Sequence, residues 1–84
     1  MRRVSCRWRT PLGQFVSDFG VQRLTRELAS AGAPVTQKAV YHWLAGSHAP
    51  RPTHAAAIAR VSAGRVSVED VYRHRDVVVR ARSV

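Results

Sequence analysis

A short stretch that ends at Gly46 constrains the fold of this chain more than any other. Thr36 is suited to cap a helix because its hydroxyl can accept a hydrogen bond from a first-turn N–H, and Gly46 can end that helix in a left-handed conformation. Three apolar residues of the predicted 36–45 helix fall on one side, namely Val40, Trp43 and Leu44. A helix this short is marginal in water by itself. We therefore expect other parts of the chain to pack against its apolar side.

Helix signals and breaks predict four further helices around this one. Thr10 and Pro11 form a cap and a first helical position, and Gly20 breaks the periodic segment that follows them. Pro34 cannot continue the next helix. The predicted ranges are 11–19, 21–31, 36–45, 53–62 and a short helix that begins after Ser67. The expected architecture is therefore an all-α domain of five helices.

The two ends of the chain leave alternatives open. Residues 1–10 interleave basic and apolar side chains, which fits either a short strand or a basic arm that enters a minor groove. The segment 76–84 contains Val77–Val79, a β-branched run that suits a strand better than a helix. A lone strand is not stable, so this segment would pair with the N-terminal segment or with a second copy. It is interpreted as a tail or strand and as a dimer contact.

The charge of the chain indicates a polyanionic partner. The 84 residues make one domain and carry a net charge of +9, and Lys38 is the only lysine. Arginine binds phosphate oxygens bidentately and also reads guanine edges, so nucleic acid is the first candidate. A merely arginine-rich protein from a GC-rich genome is the alternative explanation of the charge.

The cysteine content and the hydropathy pattern point to the cytoplasm. Cys6 is the only cysteine, so no internal disulfide can form, which fits a reducing compartment. No apolar run approaches the length of a membrane span, and the basic N-terminus lacks the apolar core of a signal peptide. We expect a cytoplasmic protein with no membrane partner.

Two segments together resemble a known family. Leu24–Leu28 (Leu-Thr-Arg-Glu-Leu), followed by Val35–Gly46, resembles the helix-turn-helix of phage Cro and repressor proteins, and especially the YdaS-type bacterial regulators. Those proteins commonly carry Val-Ser-x-x-Ala-Val-x-x-Trp-x-x-Gly in the second helix. Pro50–Pro52 and the stretch from Gly64 to Tyr72 are also similar to these regulators. The resemblance covers about residues 11–75.

The connection before the second helix departs from the family pattern. In the family, glycine and the second-helix valine directly follow the leucine that Leu28 matches, whereas residues 29–34 intervene here. The sequence therefore predicts either a first helix that is longer by about a turn or an enlarged turn. Either change affects the angle between the two helices.

The resemblance implies that the second helix enters the major groove of DNA. Carried over by position, the base-reading residues are Gln37, Lys38, Tyr41 and His42, and the phosphate contacts are Thr36, Ser47, His48 and Arg51. Glutamine suits adenine and lysine suits guanine, so the first two are the main base readers. An ordinary solvated helix face is the alternative interpretation. Further DNA contacts from the N-terminal arm would be made by Arg2, Arg3, Arg7 and Arg9.

Metal binding and catalysis are not expected. His42, His48 and His54 are spaced by six residues, which does not place them on one helical face, and no cysteine accompanies them. The five acidic residues are scattered, and Cys6 has no histidine near it in sequence. We predict no enzyme activity, no cofactor and no small-molecule substrate.

The sequence thus predicts a sequence-specific regulator of double-stranded DNA. It is interpreted as a repressor that binds its operator as a homodimer, because such operators usually contain two half-sites about one helical turn apart. Two alternatives are kept: a non-specific DNA-coating protein, and an antitoxin- or adaptor-type protein-interaction module that uses the same fold.

Overall fold

The computed structural model describes residues 10–82, and this part of the chain contains five α-helices and no strand. The predicted all-α architecture is confirmed. The helices are α1 (Pro11–Phe19), α2 (Val21–Ser30), α3 (Gln37–Ala45), α4 (Pro52–Val61) and α5 (Val68–Arg82). None of the helices in residues 10–82 has both the length and the apolar character that a bilayer span needs.

Side-chain caps fix where three of these helices begin. The Thr10 hydroxyl accepts the N–H of Gly13 at the start of α1, at 2.9 Å. At α5, Ser67 Oγ accepts the N–H of Asp70 while the Asp70 carboxylate accepts the N–H of Ser67, at 3.1 and 3.0 Å. This reciprocal pair satisfies two backbone donors that a helix start otherwise leaves unpaired. Thr36 caps α3 in the same way as Thr10 caps α1.

The core explains why a helix as short as α3 is stable. Val40, Trp43 and Leu44 are buried, and α2 and α5 pack against α3. Each such side chain contributes about 1.5–3 kcal/mol when it is removed from water. Leu28 on α2 and Ile58 on α4 are fully buried in the same cluster. The expectation that neighbouring helices hold α3 is confirmed.

The connection between α2 and α3 spans residues 31–36, and α2 extends past Leu28 to Ser30. The helix ends in a Schellman motif, in which the N–H of Ala33 donates to the carbonyl of Leu28 at 2.8 Å and the N–H of Gly32 donates to the carbonyl of Ala29 at 3.1 Å. Gly32 has a φ of +84°, and Ala33 is buried against the core. Whether the first helix is longer or the turn is larger than in the family stays a prediction from the sequence comparison.

The strand interpretation of the C-terminal segment is wrong for residues 76–82. Helix α5 continues through the valine run to Arg82, and Val71, His74 and Val78 lie on its buried side at helical spacing. Tertiary packing of that side outweighs the local β-preference of three consecutive valines. The predicted boundary at 75/76 therefore falls inside α5. Residues 1–9 and 83–84 lie outside the described residues, so the strand-or-arm alternatives for the N-terminal segment fall there too.

Candidate nucleic-acid interface

The outward side of α3 carries the four predicted base-reading residues. Gln37, Lys38 and Tyr41 are exposed, and His42 is half-buried at the edge of this side. Lys38, Tyr41 and His42 follow the i, i+3, i+4 spacing that places side chains on one helical face. The exposed fraction of Tyr41 is 43 %, so its ring and hydroxyl are accessible to a partner.

Thr36 begins this helix and has a structural role there. Its hydroxyl oxygen accepts the N–H of Ala39 at 3.1 Å, as predicted for a cap. The residue is exposed, and a hydroxyl that accepts one hydrogen bond can still donate its own hydrogen to an anion.

The turn after α3 brings His48 back against the helix. Gly46 adopts a left-handed conformation with a φ of +78°, and the N–H groups of Ser47 and His48 then donate to the carbonyl of His42, at 3.0 and 3.4 Å. The rings of His42 and His48 consequently meet edge to face, with centroids 4.9 Å apart. His42, a predicted base-reading residue, and His48, a predicted phosphate contact, therefore lie together.

A surface hollow of about 270 Å³ lies between α3 and this turn. Its floor is apolar, and three side chains with nitrogen hydrogen-bonding groups surround it, namely Lys38, His42 and His48. The remaining lining residues are Thr36, Ala39 and Trp43. An apolar floor ringed by hydrogen-bond donors can contact the methyl of a thymine and the acceptors of a neighbouring base or phosphate.

Two of the predicted phosphate contacts lie outside this hollow. Ser47 is exposed in the turn, and Arg51 is exposed at the start of α4, where Pro52 occupies the first helical position. The structure places both close to α3 along the chain without bringing either side chain into the hollow. The predicted arm contacts Arg2, Arg3, Arg7 and Arg9 lie outside the described residues.

His54 has a different environment from His42 and His48. Its ring lies against Trp43, with centroids 5.6 Å apart, and its Nε2 is 3.3 Å from the carbonyl oxygen of Pro34. This contact ties the 31–36 connection to α4. Within residues 10–82, no group of three or more His, Cys, Asp or Glu side chains is arranged to hold a metal ion.

His74 anchors the C-terminal end of α3 and was not predicted from the sequence. His74 is 1 % exposed, its Nε2 donates to the carbonyl of Leu44 at 2.9 Å, and its Nδ1 accepts from the Thr10 hydroxyl. Burial lowers the pKa of His74 below its ordinary value of 6.5, although the bond to the Leu44 carbonyl opposes this effect. The ring is therefore neutral near pH 7, with its proton on Nε2. Its position one turn after Val71 was the sequence signal that could have identified it.

Two more donors of α5 reach the segment that follows α3. The Tyr72 hydroxyl donates to the carbonyl of Pro50 at 3.1 Å, and Arg75 Nε donates to the carbonyl of Gly46 at 3.3 Å. With His74, three residues within about one turn of α5 thus donate to backbone oxygens between residues 44 and 50. These bonds fix the end of α3 and the turn that carries His48.

Comparison of the chain with protein-family models, with curated proteins and with solved structures found no match. The resemblance to Cro-like and YdaS-type regulators stays a prediction from the sequence motifs.

Proposed function

We propose that this chain is a sequence-specific regulator that binds double-stranded DNA with α3 in the major groove, acting as a repressor in a bacterial or phage-infected cytoplasm. The observation that carries the proposal is the outward side of α3, where Lys38, Tyr41 and His42 face away from the helices that cover its apolar side. A helix with its side chains is about 10–12 Å wide and fits a major groove of about 12 Å. The net charge of +9 favours a polyanionic partner.

The roles of the α3 side chains follow from their chemistry. Gln37 can donate to and accept from adenine, and Lys38 can donate to the guanine acceptors. Tyr41 and His42 lie one turn further along the helix and would contact bases or phosphates. Contacts to the phosphate backbone would come from Thr36, Ser47, His48 and Arg51.

A binding selection from random DNA tests this proposal directly. We expect an enriched site, and we expect Gln37→Ala to change the preferred bases. Arg51→Ala should weaken binding to all sequences alike, because a phosphate contact carries no sequence information. If the two substitutions act alike on every sequence, the assigned roles are wrong.

The proposed operator-bound form is a homodimer, because a single small module buries limited surface on DNA. The valine run offers little area for it: Val78 is buried, and Val77 and Val79 are each 41 % exposed. Two such side chains fall far short of the roughly 800 Å² per partner of a stable interface. We therefore expect the dimer to form on DNA. Sedimentation that shows a monomer at high concentration, both free and with DNA, would refute this.

Two other functions are distinguished by the same variants. A DNA-coating protein would bind all sequences alike, with an affinity that falls steeply with salt. An antitoxin- or adaptor-type module would use the surface for a protein, so Lys38→Ala and Arg51→Ala would leave any DNA affinity unchanged. The exposed donors on α3 favour the base-reading function over both.

A further inference from the structure

Two arginines of α5 are not part of the interface described above: Arg75, which lies beside the end of α3, and Arg80, which follows it on the same helix. Arg75 and Arg80 line one surface hollow together with Asp76 and Val79, and Arg75 also donates to the carbonyl of Gly46. We propose that this hollow binds a phosphate group of the DNA backbone, so that α5 contacts the duplex next to α3. This inference rests on the proposed DNA-binding function.

The position of the hollow follows from how closely α5 approaches Gly46. A Cβ atom placed on Gly46 would lie 2.9 Å from Cγ1 of Val78 and 3.8 Å from Cγ2 of Val79. The C-terminal half of α5 therefore passes directly against the residue that ends α3. A helix that lies in the major groove has a phosphate backbone on each side of it. Because Arg75 is bonded to Gly46, it is placed to meet the backbone at this end of α3.

The chemistry of the hollow suits a single phosphate. The Gly46 carbonyl uses Nε–H of Arg75, which leaves the N–H groups of the two terminal nitrogens to donate to phosphate oxygens. Arg80 is exposed and adds a second guanidinium five residues on. Asp76 is the opposing feature, since its carboxylate shares the hollow and repels an anion. If a phosphate occupies the hollow, removal of a positive charge should weaken DNA binding and removal of the negative charge should strengthen it.

The first test removes the accessible cation. We expect Arg80→Ala to lower the affinity for every DNA sequence by about threefold to tenfold, and to reduce the slope of log affinity against log salt by about 0.9. Arg23→Ala is the matched control, because the Arg23 guanidinium stacks 4.1 Å from the centre of the Phe19 ring, where α1 meets α2. Equal salt slopes for the two variants would overturn the proposal.

The second test removes the opposing anion. Asp76→Asn should raise the affinity by about twofold to fivefold at low salt, because a negative charge next to the bound phosphate is lost. Glu69→Gln removes an equal charge from the first turn of the same helix and should leave the affinity close to that of the wild type. An affinity for Asp76→Asn no higher than for Glu69→Gln would contradict a phosphate in this hollow.

The two proposals fail in distinguishable ways. If the wild-type chain selects no DNA sequence and Lys38→Ala has no effect, the proposed function fails. If sequence selection depends on α3 while Arg80→Ala behaves like Arg23→Ala, only the phosphate site is overturned.

A separate experiment tests whether the hollow binds free phosphate. Inorganic phosphate is titrated at constant ionic strength, and NMR follows the Nε–H signals of Arg75 and Arg80. Shifts there without any change in the DNA salt slope of Arg80→Ala would overturn a DNA contact.

Discussion

The close approach of α5 to Gly46 makes a quantitative prediction about two glycines. Gly46 and Gly32 both have a positive φ, at +78° and +84°, so a side chain at either position costs about 1–2 kcal/mol of conformational energy. Around Gly32 a Cβ would meet no atom within 4 Å, whereas at Gly46 it would lie 2.9 Å from Cγ1 of Val78. Gly32→Ala is therefore the matched control for Gly46→Ala.

The extra cost at Gly46 follows from how firmly Val78 is held. Val78 is 1 % exposed and lies within a helix, where valine has one strongly preferred rotamer, so it cannot turn its methyl away without moving α5. Overpacking of this kind costs about 1–3 kcal/mol. We expect the free energy of unfolding to fall by about 2–5 kcal/mol for Gly46→Ala and by about 1–2 kcal/mol for Gly32→Ala.

Urea denaturation followed by circular dichroism measures both changes. The expected difference in the free energy of unfolding between the two variants corresponds to a difference in Tm of about 4 °C or more for a domain of this size. In a double-mutant cycle, Val78→Ala should relieve the extra cost at Gly46 by about 1 kcal/mol or more. Equal destabilisation of Gly46→Ala and Gly32→Ala, or a cycle with no coupling, would show that α5 is not seated on Gly46.

Two further predictions concern the histidine anchor and the cap of α3. The lowered pKa of His74 means that the unfolded chain binds a proton more tightly than the native chain. The stabilising contribution is therefore complete above the ordinary pKa of 6.5 and is lost as the pH decreases below that value. The free energy of unfolding should decrease by at most about 1.4 kcal/mol per pH unit. His74→Gln keeps a donor for the Leu44 carbonyl but cannot titrate, so its free energy of unfolding, measured by denaturation at a series of pH values, should depend less on pH than that of the wild type. The same pH dependence in both proteins would disprove the role of His74. Thr36→Ala should lower the free energy of unfolding by about 1 kcal/mol and Thr36→Ser should restore it, whereas equal losses would rule out the hydroxyl as the cap.

Features that depend on neighbours in sequence were predictable. Thr10, Thr36 and Ser67 cap helices because each cap joins residues three positions apart, and the sequence contains both partners. The exposure of Lys38 and Tyr41 followed from the 3.6-residue period of α3.

Features that depend on distant contacts were not predictable. Local preference indicated a strand for the valine run, but the burial of Val78 depends on Gly46, which lies 32 positions earlier in the chain. His48 stays a predicted phosphate contact, and its position against His42 depends on the turn that Gly46 makes. His74 was missed because histidine is common both inside and outside proteins, so its residue type alone does not indicate burial.

The hydrogen bonds from α5 to the backbone between residues 44 and 50 also determine when the proposed DNA-reading surface can form during synthesis. Tyr72, His74 and Arg75 leave the ribosome after the whole of α3, so α3 is complete as sequence before the residues that anchor its end are available. A nascent chain that ends before α5 contains every proposed base reader but none of these three bonds. The proposed DNA-reading surface is therefore anchored only after α5 has been synthesised and has docked against the end of α3.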